Sequence, residues 1–202
     1  MAWTGRLAGP RLWPFYRQKK PAMKLVILDR DGVINKDRDD FVKNSLEWEP
    51  LDHSLEAIAN LTQAGWRIVV ATNQSGIGRG LFDLHALHAM HTKMHRLVNQ
   101  AGGRIDAVVV CPHTPDDNCE CRKPLPGMVK EVSERFNVKP DGLPMVGDSL
   151  RDLEAIAAMG GQPILVKTGK GEKTFEKGGL PEGTLVFDDL YDAAEYLIQT
   201  HH

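Results

Sequence analysis

The stretch LVILDRDG, residues 25–32, decides the fold of this chain and much of its chemistry. Its first four residues are apolar and rich in β-branched side chains, which predicts a buried strand that stops at Asp29. Similar apolar runs at 67–71, 107–110, 144–146, 163–166 and 184–187 alternate with helical patterns at 54–64, 83–100, 128–136, 150–159 and 191–198. This alternation predicts an α/β fold with a doubly wound, mostly parallel sheet that is covered by helices on both faces.

The length and composition are those of one ordinary globular domain. The chain has 202 residues, 42% hydrophobic and 26% charged, which argues against disorder and against a disulfide scaffold. No apolar run approaches the roughly 18 residues that a membrane span needs. The net charge of −2 argues against a dedicated nucleic-acid binder.

Residues 1–22 differ in charge from the rest of the chain. They contain five basic residues and no acidic one, so residues 23–202 carry a net charge of −7. The segment lacks the apolar run of a secretory signal. We expect a basic, poorly ordered N-terminal extension, followed by a single domain over residues 23–198.

Reactive side chains follow four of the predicted strands. They lie in Asp29–Gly32, Thr72–Ser75, Cys111–His113 and Gly147–Ser149, in chain order. In an open parallel sheet, ligands bind beyond the carboxyl ends of the strands. We therefore expect these four segments to meet at one edge of the sheet and to form a functional site.

Three acidic residues, Asp29, Asp31 and Asp148, belong to this set. Close together, they would raise one another's pKa unless a cation neutralised them, and carboxylate oxygens suit Mg²⁺. The alternative is that each aspartate is a helix cap or a turn residue, but independent caps would not all fall on one sheet edge.

A metal beside a carboxylate nucleophile suggests phosphoryl transfer, in which positioned cations and donors stabilise the charge on the phosphoryl oxygens. The Thr72 hydroxyl, the Asn73 amide and the Lys123 ammonium are suitable donors for such a group.

The cysteines point to a second metal. All three lie within eleven residues, in the pattern Cys111-x-His113-x₅-Cys119-x-Cys121. Three thiolates and one imidazole make a complete tetrahedral set for structural Zn²⁺, with no position left open for catalysis. The alternative is a redox disulfide or scattered buried thiols, which does not explain why every cysteine clusters around a histidine. This zinc loop, residues 111–121, would aim the adjoining Arg122 and Lys123 at a substrate.

Four segments resemble, in order, the four motifs of the haloacid dehalogenase (HAD) superfamily of phosphatases. They are DRDGV at 29–33, Thr72-Asn73, Lys123-Pro124 and GDSLRD at 147–152. The resemblance covers roughly residues 23–198 and implies the Rossmann-like HAD fold.

The resemblance also implies catalytic roles. Asp29 would be the nucleophile that forms an aspartyl-phosphate, and Asp31 would act first as general acid and then as general base. Thr72 and Lys123 would stabilise the phosphoryl group.

For the magnesium ion, the resemblance implies the Asp29 carboxylate, the Asp31 backbone carbonyl and the Asp148 carboxylate as ligands. Asp152 is expected to support Lys123 or a metal-bound water rather than to touch the ion.

The zinc loop, DRDGVIN at 29–35 and TNQSGIGRG at 72–80 resemble the D-glycero-D-manno-heptose 1,7-bisphosphate 7-phosphatase family. Members remove the 7-phosphate in the bacterial cytoplasm, in the synthesis of heptose precursors of lipopolysaccharide or surface glycans, and they lack a large cap domain. We expect a cytoplasmic monomer that binds a phosphorylated sugar and neither nucleic acid nor a membrane. The implied substrate contacts are Asp37, Thr72, Asn73, Gln74, Ser75, Arg122 and Lys123.

One departure from this family concerns Ser149, which stands where some members carry a lysine beside the motif aspartate. The resemblance therefore implies one cationic substrate contact fewer in this chain.

Three other functions stay open at this point. A histidinol-phosphate phosphatase has the same chemistry on another small substrate. A nucleic-acid 3′-phosphatase would need a basic groove, which the net charge of the core does not favour. A zinc-stabilised interaction module without enzymatic activity would release no phosphate.

Three further patterns are interpreted without function. His85, His88, His91 and His95 share one side of a predicted helix and are expected to form a solvated face. The spacing of Gly76-x-Gly78-x-Gly80 does not match a dinucleotide fingerprint. Lys167, Lys170 and Lys173 are expected in an exposed loop that can attract an anionic substrate.

Overall fold

The computed structural model describes residues 23–200, and the expectation for residues 1–22 falls outside the described part. The strands are β1 (Leu25–Leu28), β2 (Arg67–Asn73), β3 (Ala107–Cys111), β4 (Pro144–Gly147), β5 (Gln162–Val166) and β6 (Leu185–Phe187). The helices are α1 (Ser54–Gln63), α2 (Ser75–Gly78), α3 (Leu84–Gln100), α4 (Gly127–Phe136), α5 (Leu150–Ala157), α6 (Gly171–Lys177) and α7 (Leu190–Thr200), and a 3₁₀ turn covers Pro115–Asp117.

The strands form a six-stranded sheet in the order β3-β2-β1-β4-β5-β6, and every neighbouring pair is parallel. The chain winds outward from β1 in one direction and from β4 in the other, so β1 and β4 flank the point where the order reverses. Such a switch point leaves a crevice beyond the carboxyl ends of its strands. The predicted doubly wound α/β fold is confirmed.

Alternate side chains of each central strand supply the two sides of the core. Val26 and Leu28 belong to one apolar cluster, which includes Trp48 and Trp66. Ile27 belongs to a second cluster on the other face of the sheet. All four residues of β1 are buried, as the unbroken apolar run predicts for a strand covered on both faces.

The helix boundaries follow local signals. The carboxylate of Asp83 accepts a hydrogen bond of 2.8 Å from the Ala86 N–H, which caps the start of α3. Gly65, at a φ of +84°, follows the end of α1 in a backbone conformation that favours glycine. These two helices are the clearest of those that the sequence predicts.

The expected loop around Lys167, Lys170 and Lys173 is partly wrong. Helix α6 covers Gly171–Lys177, so Lys173 lies on a helix. The lysine spacing and the two glycines of this segment resemble a loop because α6 buries very little apolar surface. The helix forms against β5, which a local pattern does not reveal.

The expected absence of a large cap domain is confirmed for the described residues. Between β1 and α1 the chain makes turns and two isolated bridges, Asp31 with Asn35 and Asn35 with Pro50. After β2, the four-residue α2 and a short turn lead directly to α3. Within residues 23–200, none of the helices has the length and apolar character required to cross a bilayer.

Candidate active site

The carboxyl ends of three adjacent strands bring the predicted catalytic residues together. Asp29 follows β1, and its backbone N–H donates to Val146 O of β4 at 2.9 Å. Thr72 lies near the end of β2, and Asp148 follows β4 directly. Leu28 pairs with both Val70 and Val146, so these strand ends share one level in the sheet.

Lys123 reaches this group from the segment that follows the zinc loop. Its Nζ lies 2.9 Å from Asp29 Oδ1 and 2.6 Å from Asp152 Oδ1, and it donates to Ala71 O at 2.8 Å. Burial alone would lower the pKa of Lys123, but the charges of Asp152 and Asp29 raise it. The side chain is therefore a fixed, buried ammonium between two carboxylates.

Asn73 holds the backbone of Lys123 in place. Its Oδ1 accepts from the Lys123 N–H at 3.2 Å, and its Nδ2 donates to Lys123 O at 3.1 Å. Asn73 was predicted to contact substrate, and it does line the same cavity. The Asn73 amide therefore also connects the end of β2 to the backbone of Lys123.

The acidic cluster is electrostatically crowded. One carboxylate oxygen from each of Asp29, Asp148 and Asp152 lies within 4.8 Å of the others. Burial, with the nearby charges of Asp152 and Asp31, raises the pKa of Asp29 to about 7 in spite of Lys123. Burial, with the charges of Asp152 and Asp29, raises the pKa of Asp148 to about 8. A hard divalent cation fits this donor set, because it would relieve the repulsion that the pKa values report.

Asp152 has the contacts expected of a supporting residue. Besides Lys123, its Oδ2 accepts from the Ser149 N–H at 3.1 Å and from Ser149 Oγ at 2.5 Å. Burial would raise the pKa of Asp152, but Lys123 and the Ser149 hydroxyl lower it. Ser149 therefore turns inward as the N-cap of α5, where it holds Asp152.

Asp31 is held by three donors. Its oxygens accept from Arg30 Nη2 at 2.9 Å, from Asn35 Nδ2 at 2.9 Å and from Gln74 Nε2 at 2.8 Å. Burial would raise the pKa of Asp31, but Arg30 and these hydrogen bonds lower it below its ordinary value. The Gln74 amide also donates to Thr72 Oγ1 at 2.9 Å, which connects β2 to this carboxylate.

Arg30 holds Asp31 at this site, and sequence reasoning does not single it out. Its side chain is fully buried, and its Nη1 lies 3.4 Å from His91 Nε2 on α3. Burial, with the charges of Arg30 and His95, lowers the pKa of His91 to about 4, so this imidazole is neutral at pH 7. The expectation of a solvated histidine face fits the exposed His85 and His88, whereas His91 turns inward.

A cavity of about 260 Å³ opens above the acidic cluster. Its walls include every residue predicted to take part in catalysis or substrate binding, namely Asp29, Asp31, Asp37, Thr72, Asn73, Gln74, Ser75, Arg122 and Lys123. They also include Arg79, Arg151 and Lys170, which were not predicted as site residues. Lys170 Nζ forms an ion pair of 2.6 Å with Asp37 Oδ2 at this cavity.

Arg122 lines the cavity together with Arg79 and Arg151, and the charges of both act on it. Burial, with repulsion from Arg151 and Arg79, lowers the pKa of Arg122 although the nearby thiols of Cys111 and Cys119 act in the opposite direction. Three arginines that repel one another beside a pocket favour the binding of an anion there. No local pattern links Arg79, Arg122 and Arg151, because they follow different strands.

The Cys/His cluster has the dimensions of a zinc site. Cys111 Sγ lies 3.7 Å from Cys119 Sγ and 3.7 Å from His113 Nδ1. Cys121 Sγ lies 3.5 Å from Cys119 Sγ and 3.3 Å from His113 Nδ1. Four ligands at bond lengths of about 2.0–2.3 Å around Zn²⁺ are separated by about 3.4–3.8 Å, so this donor set fits tetrahedral zinc.

These two clusters are the groups of three or more metal-binding side chains found in residues 23–200. The histidines of α3 do not converge in this way.

Two family descriptions match the chain. Residues 24–151 match the family described as polynucleotide kinase 3 phosphatase, and residues 120–193 match the family described as HAD-hydrolase-like. Both matches include Lys123 and Asp148.

Curated relatives match over nearly their whole length. D-glycero-β-D-manno-heptose-1,7-bisphosphate 7-phosphatase of Bordetella bronchiseptica is 59% identical over 177 residues, which is 88% of this chain and 99% of the relative. The enzyme of that name from Neisseria meningitidis serogroup A is 59% identical over 179 residues, with coverages of 88% and 96%.

A solved structure agrees with these relatives. The crystal structure of the B. bronchiseptica D,D-heptose 1,7-bisphosphate phosphatase, complexed with magnesium and phosphate, superposes with a TM-score of 0.87. It is 59% identical, and the alignment covers 88% of this chain and 99% of that one.

Proposed function

From the membership of this chain in the D-glycero-β-D-manno-heptose-1,7-bisphosphate 7-phosphatase family of HAD-like hydrolases, we propose that it removes the 7-phosphate of that sugar bisphosphate. The observation that carries the proposal is the buried group of Asp29, Lys123 and Asp148 at the floor of a small cavity lined with cations. The reaction would serve the synthesis of heptose precursors for lipopolysaccharide or surface glycans.

Asp29 is the proposed nucleophile. The ion pair with Lys123 and the hydrogen bond from its backbone to Val146 fix the direction of its carboxylate. A carboxylate oxygen attacks phosphorus, the bond between phosphorus and the sugar oxygen breaks, and an aspartyl-phosphate forms. Lys123 and the Thr72 hydroxyl balance the charge of the phosphoryl oxygens.

Asp31 is the proposed general acid and base. It gives a proton to the leaving sugar oxygen and later takes one from the water that hydrolyses the aspartyl-phosphate. Arg30, Asn35 and Gln74 hold the carboxyl group in one orientation through both steps. These donors lower the pKa of Asp31, so the group is a carboxylate in the free site and takes up a proton from water before it acts as the acid.

The proposed magnesium ligands are the carboxylates of Asp29 and Asp148 and the backbone carbonyl of Asp31. Bound Mg²⁺ would supply positive charge to the phosphoryl group and would lower the repulsion among these acids. The raised pKa values of Asp29 and Asp148 support this assignment.

The proposed zinc site of Cys111, His113, Cys119 and Cys121 has a structural role. It would fix the loop that leads into Arg122, whose Nη1 donates to His113 O at 3.2 Å. Arg122, Arg79 and Arg151 would then face the second phosphate of the substrate. This arrangement supplies cationic contacts that Ser149 does not.

The decisive test compares kcat/KM for three substrates in the presence of Mg²⁺: the heptose bisphosphate, histidinol phosphate and a 3′-phosphorylated oligonucleotide. We expect the heptose bisphosphate to be preferred by at least about a hundredfold, because its two phosphates match the catalytic and the arginine-lined ends of the cavity. Preference for histidinol phosphate or for the oligonucleotide would contradict the proposal.

Two simpler measurements complete the test. Failure to release phosphate from p-nitrophenyl phosphate with Mg²⁺ would instead favour an interaction module that has no enzymatic activity. We also propose a cytoplasmic monomer with residues 23–198 as its one catalytic domain, and light scattering on the purified chain tests the monomeric state.

A further inference from the structure

The carboxylate of Asp148 is enclosed by the segment Thr168–Lys170, which connects β5 to α6. This segment leaves the strand next to β4 and crosses directly over Asp148. The mechanism above uses Asp148 as a metal ligand but does not explain what orients its side chain. The contacts of this segment supply an explanation.

Two glycines from separate loops flank the carboxylate. A Cβ atom on Gly32 or on Gly169 would overlap Asp148 Oδ2, and one on Gly169 would also lie 2.5 Å from Gly32 Cα. Their φ angles of +82° and +58° lie in the left-handed region that favours glycine. The side chain of Asp148 is thus packed between two backbones that approach as closely as they do because neither residue has a side chain.

Three hydrogen bonds hold this arrangement. The Lys170 N–H donates to Asp148 Oδ2 at 2.9 Å, and the Thr174 hydroxyl donates to Asp148 O at 3.0 Å. The Thr168 hydroxyl donates to Gly32 O at 2.7 Å, which joins the segment to the loop after β1. Both glycine-bearing loops are therefore tied to each other and to Asp148.

We propose that Thr168–Lys170 is a positioning segment for the metal ligand Asp148, an inference that rests on the proposed function. The backbone N–H of Lys170 occupies Oδ2, and the two glycines prevent the carboxylate from rotating. Asp148 would then offer Oδ1 to Mg²⁺, because Oδ2 already accepts from the Lys170 N–H. Gly169 and Thr168 act on the ion through Asp148 and do not touch it.

Gly169→Ala tests the packing, with Gly178→Ala as its matched control. Both residues have a positive φ, but a Cβ on Gly178 would meet nothing within 4 Å. Both variants therefore place a side chain on strained backbone, and at Gly178 the ψ of −162° makes that strain severe. Gly169→Ala alone also displaces Asp148. Mg²⁺ alone is titrated by calorimetry into the full-length protein, with its zinc retained. We expect the Kd for Mg²⁺ to rise at least about tenfold for Gly169→Ala and to stay within about twofold for Gly178→Ala.

A milder pair decides the matter if Gly169→Ala fails to fold. Thr168→Val removes the hydroxyl that donates to Gly32 O, and Thr184→Val removes a comparable hydrogen bond to Pro181 O away from the site. We expect a rise of about three- to tenfold in the Kd for Thr168→Val and no change for Thr184→Val.

The two proposals fail in different ways. Parent-like Mg²⁺ affinity in Thr168→Val, or in a folded Gly169→Ala, would overturn the positioning role, whatever substrate the enzyme uses. A parent protein that binds Mg²⁺ but leaves the heptose bisphosphate intact would overturn the proposed substrate, while the comparison of the variants would still hold. A parent that binds no Mg²⁺ would overturn both.

Discussion

The two candidate metal sites of this chain lie at different places in the same sheet, one at its centre and one at its edge. The acidic cluster follows β1 and β4, the two central strands, and is assembled from residues as distant in sequence as Asp29 and Asp152. The Cys/His cluster lies at the end of β3, an edge strand, and all four of its members fall within residues 111–121.

The acidic cluster is therefore positioned by the packing of the whole sheet, whereas the Cys/His cluster consists of residues from a single loop. The packed core fixes the acidic cluster, so its carboxylates can be held close together in spite of their repulsion, with one side open to the cavity. Residues 112–120, in the loop after β3, are half-buried or exposed. The proposed zinc, held by a closed set of four ligands, would order this loop from within.

The strongest challenge to this comparison is removal of the nucleophile. Asp29→Asn keeps the shape of the side chain, and we expect kcat to fall by at least about four orders of magnitude because no aspartyl-phosphate can form. Release of phosphate from the heptose bisphosphate measures this. Asp106→Asn is the control, since Asp106 is a similarly buried acid that pairs with Arg67 outside the cavity. Appreciable turnover by Asp29→Asn would mean that the acidic cluster does not supply the nucleophile.

Loss of the buried ammonium is expected to have the next largest effect. Lys123→Met leaves Asp29 and Asp152 without their shared partner, and we expect kcat/KM to fall by about 10²–10³-fold. Lys93→Met serves as control, because Lys93 is a half-buried lysine that donates to the carbonyls of Ser45 and Trp48 and lies outside the cavity. Equal losses in both variants would point to general destabilisation rather than to charge stabilisation.

Disruption of the Cys/His cluster should affect substrate binding more than the chemical step. Cys121→Ser is expected to lose zinc and to raise KM about tenfold, with kcat changed less than about threefold. Arg122 depends on the ordered loop, whereas Ala71 and Asn73 hold Lys123 independently. Metal analysis and steady-state kinetics measure both effects, with Asp116→Asn as a control in the same loop. A large fall in kcat with an unchanged KM would contradict the separation between the two sites.

The smallest expected effect concerns how easily each cluster releases its metal ion. Gel filtration in metal-free buffer should remove Mg²⁺ and leave zinc bound, because the Cys/His cluster has no ligand position open to solvent. Returning Mg²⁺ at a hundred times its Kd should add about 2.7 kcal/mol of stability, which raises Tm by about 5–10 °C. Asp148→Asn should abolish this rise. Joint loss of both metals would show that the two sites are equally labile.

Local patterns predicted the parts of the molecule in which one segment suffices. The apolar run of β1 and the capped pattern of α3 indicate their own structures, and the zinc loop carries its whole ligand set within eleven residues. The acidic cluster was predictable because parallel strands of alternating α/β units end at one edge of the sheet.

The residues that sequence reasoning missed act through tertiary contacts. Nothing local indicates that Arg30, between two aspartates, is fully buried against His91. Lys170 resembled part of a solvated loop, yet its backbone holds Asp148 and its side chain pairs with Asp37. Such roles depend on which loops the sheet order brings together, and spacing along the chain does not contain that information.

The hydrogen bond from the Asp29 N–H to Val146 O has a consequence for how the enzyme ages. It places the backbone amide of Asp29, the proposed nucleophile, between the two innermost strands, where amide protons exchange with solvent only when most of the molecule opens. Fluctuations of the surface loops therefore leave this backbone hydrogen bond intact. In a stored or heated sample, affinity for substrate should decay as the zinc loop loosens. The position of Asp29 should persist until the domain itself unfolds.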